Sequence, residues 1–131
     1  MIVLDASAIL ELLLLTPGGQ HVRERIASPE ETLHAPHLLD LEVVQVLRRY
    51  VSSGVLDSQR AALALDDLRA LDIERYPHEP MLARIWQLRA NATAYDAAYL
   101  ALAEVLRAPL LTFDARLAKS PGHTALIELV D

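Results

Sequence analysis

Cysteine is absent from this chain, which excludes disulfides and thiolate metal sites and leaves any bound metal to oxygen or nitrogen ligands. Lysine is almost absent too. Of twelve basic residues all but Lys119 are arginine, and they are outnumbered by acids to a formal charge of −6. That balance argues against a protein that grips nucleic acid over a broad basic face, because such binding depends on neutralising phosphates. A nucleic-acid enzyme helped locally by metal and a few arginines stays open, as does an acidic cleft that attracts a basic protein partner. No basic leader precedes the first apolar stretch, Ile2 to Leu15, which Asp5 and Glu11 interrupt. The stretch is also too short to cross a bilayer, so a cytoplasmic protein without membrane association is expected. No repeat, low-complexity tract or long linker divides the sequence. Residues 1–131 are expected to form one domain, large enough to bury roughly two-thirds of its unfolded surface.

No Asn-Gly or Asp-Gly pair offers a tight hairpin turn, and short apolar runs alternate with longer helical patterns. Strands are expected at 2–5, 32–35, 73–76, 109–113 and 125–130. Between them lie helices through Leu15, from Gln20 to about Ala27, from His37 to Ser53, from Ser58 to Leu71, from Pro80 to about Asn91 and from Ala94 to Arg107. A short helix spans Arg116 to Ala118. Ser7 and Ser58 are placed to cap helices, and Thr16-Pro17-Gly18-Gly19 to end one. Strands joined through helices imply an α/β three-layer sandwich with a mostly parallel central sheet.

Four acids interrupt this otherwise buried pattern: Asp5 in MIVLDAS, Glu42 in HLLDLEVVQVLRR, Asp96 in TAYDAAYLALAEVL and Asp114 in PLLTFDARL. In an open parallel sheet, residues that follow different strands meet at the carboxyl edge. Asp5 and Asp114 follow strands, while Glu42 and Asp96 lie in the early turns of helices beside that edge. Asp40 sits about 200° round the helix from Glu42, so both cannot face inward. Val43, Val46 and Leu47 favour Glu42. Two carboxylates about 4 Å apart repel by roughly 4 kcal/mol at an effective dielectric near 20, so such a cluster calls for protonation or a cation. Oxygen ligands without Cys suit Mg²⁺ or Mn²⁺, and phosphodiester hydrolysis by metal-activated water follows. Taken singly, each acid has an ordinary reading. Asp5, Asp96 and Asp114 could serve only their own helix termini, and Glu42 could face solvent.

Together, Val3-Leu4-Asp5-Ala6-Ser7, Leu41-Glu42-Val43, Ala94-Tyr95-Asp96-Ala97-Ala98-Tyr99 and Leu111-Thr112-Phe113-Asp114 resemble the motifs of PIN-domain ribonucleases, and among them the VapC toxins. The resemblance covers the full length. It implies a Mg²⁺- or Mn²⁺-dependent endoribonuclease, held in check by a small VapB-like antitoxin that inserts a carboxy-terminal tail into the acidic cleft, and often homodimeric. By the same resemblance Asp5 and Asp96 match the acids that most directly ligate metal. Glu42 and Asp114 match the other two catalytic acids, and Ser7 and Thr112 the small hydroxyl positions beside them, where direct substrate contact is as open as a helix cap for Ser7 and strand packing for Thr112.

Arg48, Arg49 and Arg116 are the basic groups best placed in the sequence to reach a phosphate, although surface arginines are usually only solvated. Asn91 could contact a phosphate or end a helix, and Glu11 reads as an exposed helix residue. His21, His34, His37, His78 and His123 lack metal-ligand spacing. Trp86 with Leu82 and Ile85 reads as helix packing. Two alternatives stay within the same fold: an RNA-processing nuclease without an antitoxin, and a non-catalytic binding module. A signalling receiver domain of similar size is disfavoured, because Asp5 has no acidic neighbour and Lys119 falls in a Ser-Pro-Gly loop.

Overall fold

The computed structural model describes residues 1–131. Five short strands form one sheet: β1 (Ile2–Leu4), β2 (Leu33–Pro36), β3 (Ile73–Tyr76), β4 (Leu110–Thr112) and β5 (Ile127–Leu129). Their order across the sheet is β3-β2-β1-β4-β5, and every pairing is parallel rather than merely most of them. The helices are α1 (Ala6–Leu13), α2 (Pro17–Arg25), α3 (Leu38–Ser52), α4 (Ser58–Ala70), α5 (Leu82–Gln87, entered through a 3₁₀ turn at Glu79–Met81), α6 (Ala94–Leu106) and α7 (Ala115–Lys119). None is long and apolar enough to cross a membrane.

Side chains alternate across β1, with Ile2 and Leu4 entering one apolar cluster and Val3 the other. The first cluster joins α1, α3 and α4 through Ile9, Leu12, Leu39, Val43, Leu47 and Leu68. The second is built around α6, whose residues Ala97 to Ala103 are all buried. A helix buried on every side belongs at the centre of its layer, and its four alanines let it lie close against the sheet.

Local chemistry explains where the helix boundaries depart from expectation. Thr16-Pro17-Gly18-Gly19 begins a helix instead of ending one: Thr16 accepts from the Gly19 amide and Pro17 occupies the first helical position. Asp5, not Ser7, caps α1, and Asp57, not Ser58, caps α4. In both cases a carboxylate one or two residues upstream reaches the free amides. Gly54, at φ +77, follows α3 in the left-handed conformation that suits glycine. Paired charges fasten the outer elements. Arg25 grips Glu128 across α2 and β5 at 2.7 and 2.9 Å, and Arg84 grips Glu104 across α5 and α6 at 2.8 and 2.9 Å. Arg84, together with the Thr124 amide and hydroxyl, holds the Glu104 carboxyl down at about 2.

The tightest backbone approach is between α1 and α2. A Cβ on Gly19 would collide with the Glu11 carbonyl, whereas one on Gly18 would meet only the edge of the Phe113 ring. Gly19→Ala is therefore expected to cost about 2–3 kcal/mol in urea unfolding, the range for overpacking, and Gly18→Ala clearly less. Equal losses for the two would count against the close-approach role.

Candidate metal centre

Because all five strands are parallel, their carboxyl ends share one edge, and the residue after β1 stands beside the residues after β4. Asp5 is 7% exposed and sits where β1 turns into α1. Its Oδ1 accepts from the Ala8 amide at 3.0 Å and the Ser7 hydroxyl at 2.6 Å, and its Oδ2 accepts from the Thr112 hydroxyl. The same two hydroxyls reach onward. Ser7 Oγ accepts from the Phe113 amide at 2.9 Å, and Thr112 Oγ1 accepts from the Asp114 amide at 3.0 Å. One carboxylate thus stitches the end of β4 to the start of α1. Burial pushes the Asp5 carboxyl up, outweighing these donors, and the negative charge of Asp96 adds to the rise.

Asp114 caps α7, accepting from the Arg116 and Leu117 amides through Oδ1, with the Arg116 guanidinium 3.5 Å from the same oxygen. Asp96 lies in the first turn of α6. Thr93 caps that helix, its hydroxyl accepting from the Asp96 amide at 3.1 Å. Burial raises the Asp96 carboxyl, Asp114 raises it further, and Arg116 and the Thr93 hydroxyl pull it back. Glu42 is half-buried on α3 and accepts from the Tyr99 hydroxyl at 2.6 Å. Burial raises it too, against that bond, with Asp96 and Asp5 adding to the rise. Asp40 turns the other way and forms a forked pair with Arg75 at 2.8 and 2.9 Å.

The four acids therefore form one electrostatic unit: Asp5 acts on Glu42, Asp96 acts on both, and Asp114 acts on Asp96. The only side-chain cation among the influences on them is Arg116, itself 92% exposed. The donor set is entirely carboxylate oxygen, with Glu42 Oε2 free of hydrogen bonds. No three His, Asp or Glu side chains close around a common point. A hard cation that keeps most of its waters and takes few protein ligands fits such a ring; a fully caged ion does not. Beside Asp96 a cavity lined by Asn91, Thr93, Arg116 and Ser120 opens to solvent.

The remaining candidates fall into place around this ring. Ser7 and Thr112 are spent on Asp5, and Thr112, at 0% exposure, offers no surface to a ligand. Arg48 and Arg49 are exposed on α3 and pair with none of the acids, Arg48 lying about 9 Å further along the helix than Glu42. Glu11 accepts from Thr16 at the start of α2. Trp86 is not packing: it is 66% exposed, with the Arg89 guanidinium 4.3 Å above its ring. Tyr99 is a site residue that sequence reasoning missed, as are Thr93 and Ser120 beside the cavity at Asp96. The signal for Tyr99 was there, three residues beyond Asp96 and hence on the same side of α6.

An acid whose folded pKa lies above its unfolded one binds its proton more tightly when folded, so its ionisation costs stability as pH climbs through the folded pKa. In chelator at pH 7, Asp96→Asn should therefore melt higher than the unsubstituted chain. Discounted for half-exposure, about 1 kcal/mol of relief gives roughly 3 °C. The gap should narrow as pH falls through the raised folded pKa and close below about pH 3, where the carboxyl is protonated in both states. Mg²⁺ should reverse the order by stabilising only the unsubstituted chain. A variant that melts lower at pH 7 in chelator would show that the acids do not strain the fold.

Residues 2–122 match the model of the PIN domain family. Ribonuclease VapC12 of Mycobacterium tuberculosis is 45% identical over 130 residues, 99% of each chain. Among solved structures, PAE2754 from Pyrobaculum aerophilum superposes with a TM-score of 0.69 at 27% identity, over 96% of this chain and 82% of that one. VapBC2 from Rickettsia felis, solved bound to a DNA fragment from its promoter, gives 0.68 at 16% identity over the full length of both chains, a likeness of fold.

Proposed function

The chain belongs to the PIN-domain family and is a ribonuclease of the VapC kind, the toxin of a toxin–antitoxin pair; from this we propose that it is one nuclease domain that cleaves RNA with Mg²⁺ or Mn²⁺ in the cytoplasm. The observation that carries the metal is the electrostatic unit of Asp5, Glu42, Asp96 and Asp114, each held near another acid with only Arg116 to offset them. Asp5, Glu42, Asp96 and Asp114 would hold the ion, Asp5 being fixed in place by Ser7, Ala8 and Thr112. Bound there, the ion supplies an acidified water and positive charge for the phosphorus centre.

The protein's own groups do the rest. Arg116, beside Asp114 and next to the cavity at Asp96, orients a phosphate of the RNA, and Asn91 and Ser120 line the same opening. Ser7 and Thr112 act by holding Asp5 still. The partner is a small VapB-like antitoxin whose basic tail replaces RNA in the acidic cleft, which the net charge of −6 favours. A homodimer is part of the same reading, supported by the large exposed apolar side chains of Leu82, Trp86 and Tyr95. Light scattering that returns the mass of one 14.5-kDa chain would remove the dimer.

Asp5→Asn and Asp96→Asn should each lower cleavage of total cellular RNA by on the order of 100-fold or more, since even partners of metal ligands cost 10–100-fold. Their circular dichroism should stay that of the unsubstituted chain. Chelator should abolish cleavage, and Mg²⁺ or Mn²⁺ should restore it. Undiminished cleavage by either variant, or in chelator, would reject the metal-dependent reading.

A further inference from the structure

Tyr99 is among the largest fully buried side chains of the molecule, and its ring packs in the apolar cluster around α6. A phenol in such a place needs a partner for its hydroxyl. The partner here is Glu42 on α3: the hydroxyl donates to Oε1 at 2.6 Å, across a sequence gap of 57 residues. This is the only hydrogen bond that reaches the Glu42 carboxylate. It occupies one oxygen and leaves Oε2 without a hydrogen bond on a carboxylate that feels the charges of Asp5 and Asp96. Glu42 has three rotatable side-chain bonds and sits among repelling acids, which would drive an untethered carboxylate toward solvent. Tyr99 has two, both fixed by packing.

We propose that Tyr99 is a positioning residue for the metal centre, which holds Glu42 turned inward so that its free oxygen faces the cation. Asp96 and Tyr99 lie three residues apart on α6, so one helix supplies both a candidate ligand and the clamp on another. The inference rests on the nuclease reading above. A purely structural alternative reverses the roles, with Glu42 present only to satisfy a buried hydroxyl.

Mn²⁺ titration of the full chain, read by the signal of free Mn²⁺, separates these two. Tyr99→Phe keeps the ring, and its affinity for Mn²⁺ should fall about 10-fold or more, as for other groups that orient a metal ligand. Its melting temperature in chelator should not fall in proportion. Glu42→Asp withdraws the carboxylate from the same hydroxyl without touching the core, and should lose comparable affinity. The double variant should lose little beyond either single one. A melting temperature that drops while Mn²⁺ affinity stays at the unsubstituted value would overturn the proposal in favour of the structural role. If Tyr99→Phe fails to fold, the hydroxyl serves the core and the structural role stands in place of the proposal; unchanged affinity in Glu42→Asp overturns it as well. If the unsubstituted chain itself neither binds Mn²⁺ nor cleaves RNA, the nuclease reading falls first and this proposal with it.

Discussion

Repulsion among four carboxylates at the carboxyl edge of a parallel sheet is the constraint around which the rest of this structure is arranged. The fold could relieve it by letting the acids swing out to water, and it does not. Asp5 is pinned by two hydroxyls and an amide, Asp114 by the amides of α7, and Glu42 by a phenol rising from the core. The tethers come from four elements, α1, β4, α6 and α7. The site therefore exists only when β1, β4, α3 and α6 are all in place. Such a cluster costs stability at neutral pH, and a bound cation can return that cost as binding energy.

The web around Asp5 shows how folding and chemistry share the same atoms. As a cap it satisfies the first turn of α1, and through Ser7 and Thr112 it ties that turn to the end of β4. The ordinary reading of this residue as a helix cap and the functional reading as a site carboxylate are both met in one geometry. Asp114 repeats the pattern at α7. Capping fixes the orientation of a short side chain, and a fixed orientation is what a ligand to a hard cation requires.

Much of the fold was legible because it follows from local rules. β3 ends where Pro77 places it, and the parallel sheet follows from strands separated by helices and the lack of hairpin turns. The boundaries that shifted did so for local reasons as well. At Thr16-Pro17-Gly18-Gly19 the same residues that can end a helix can also start one. The close approach of α2 to the Glu11 carbonyl, a tertiary demand for Gly19, decides between them. Trp86 moved for a different reason. The apolar positions of α5 do not record which face meets α6 in so short a helix, and Trp86 ends up outside with Arg89 upon it.

The sequence by itself singled out the four acids as candidates, preferred Glu42 over Asp40 by its side of the helix, and carried the resemblance that joins them to the PIN domain. Each of these depends on residue type, periodicity and spacing along one element. Tertiary structure alone decided which groups hold those acids and which stand apart. Tyr99 meets Glu42 across 57 residues, Arg75 draws Asp40 away, and Arg48 points to solvent while Arg116 stays with Asp114. The physical reason is that a hydrogen bond or ion pair between elements depends on how helices are set against a sheet. That is fixed by packing summed over the whole core, and no local pattern encodes it.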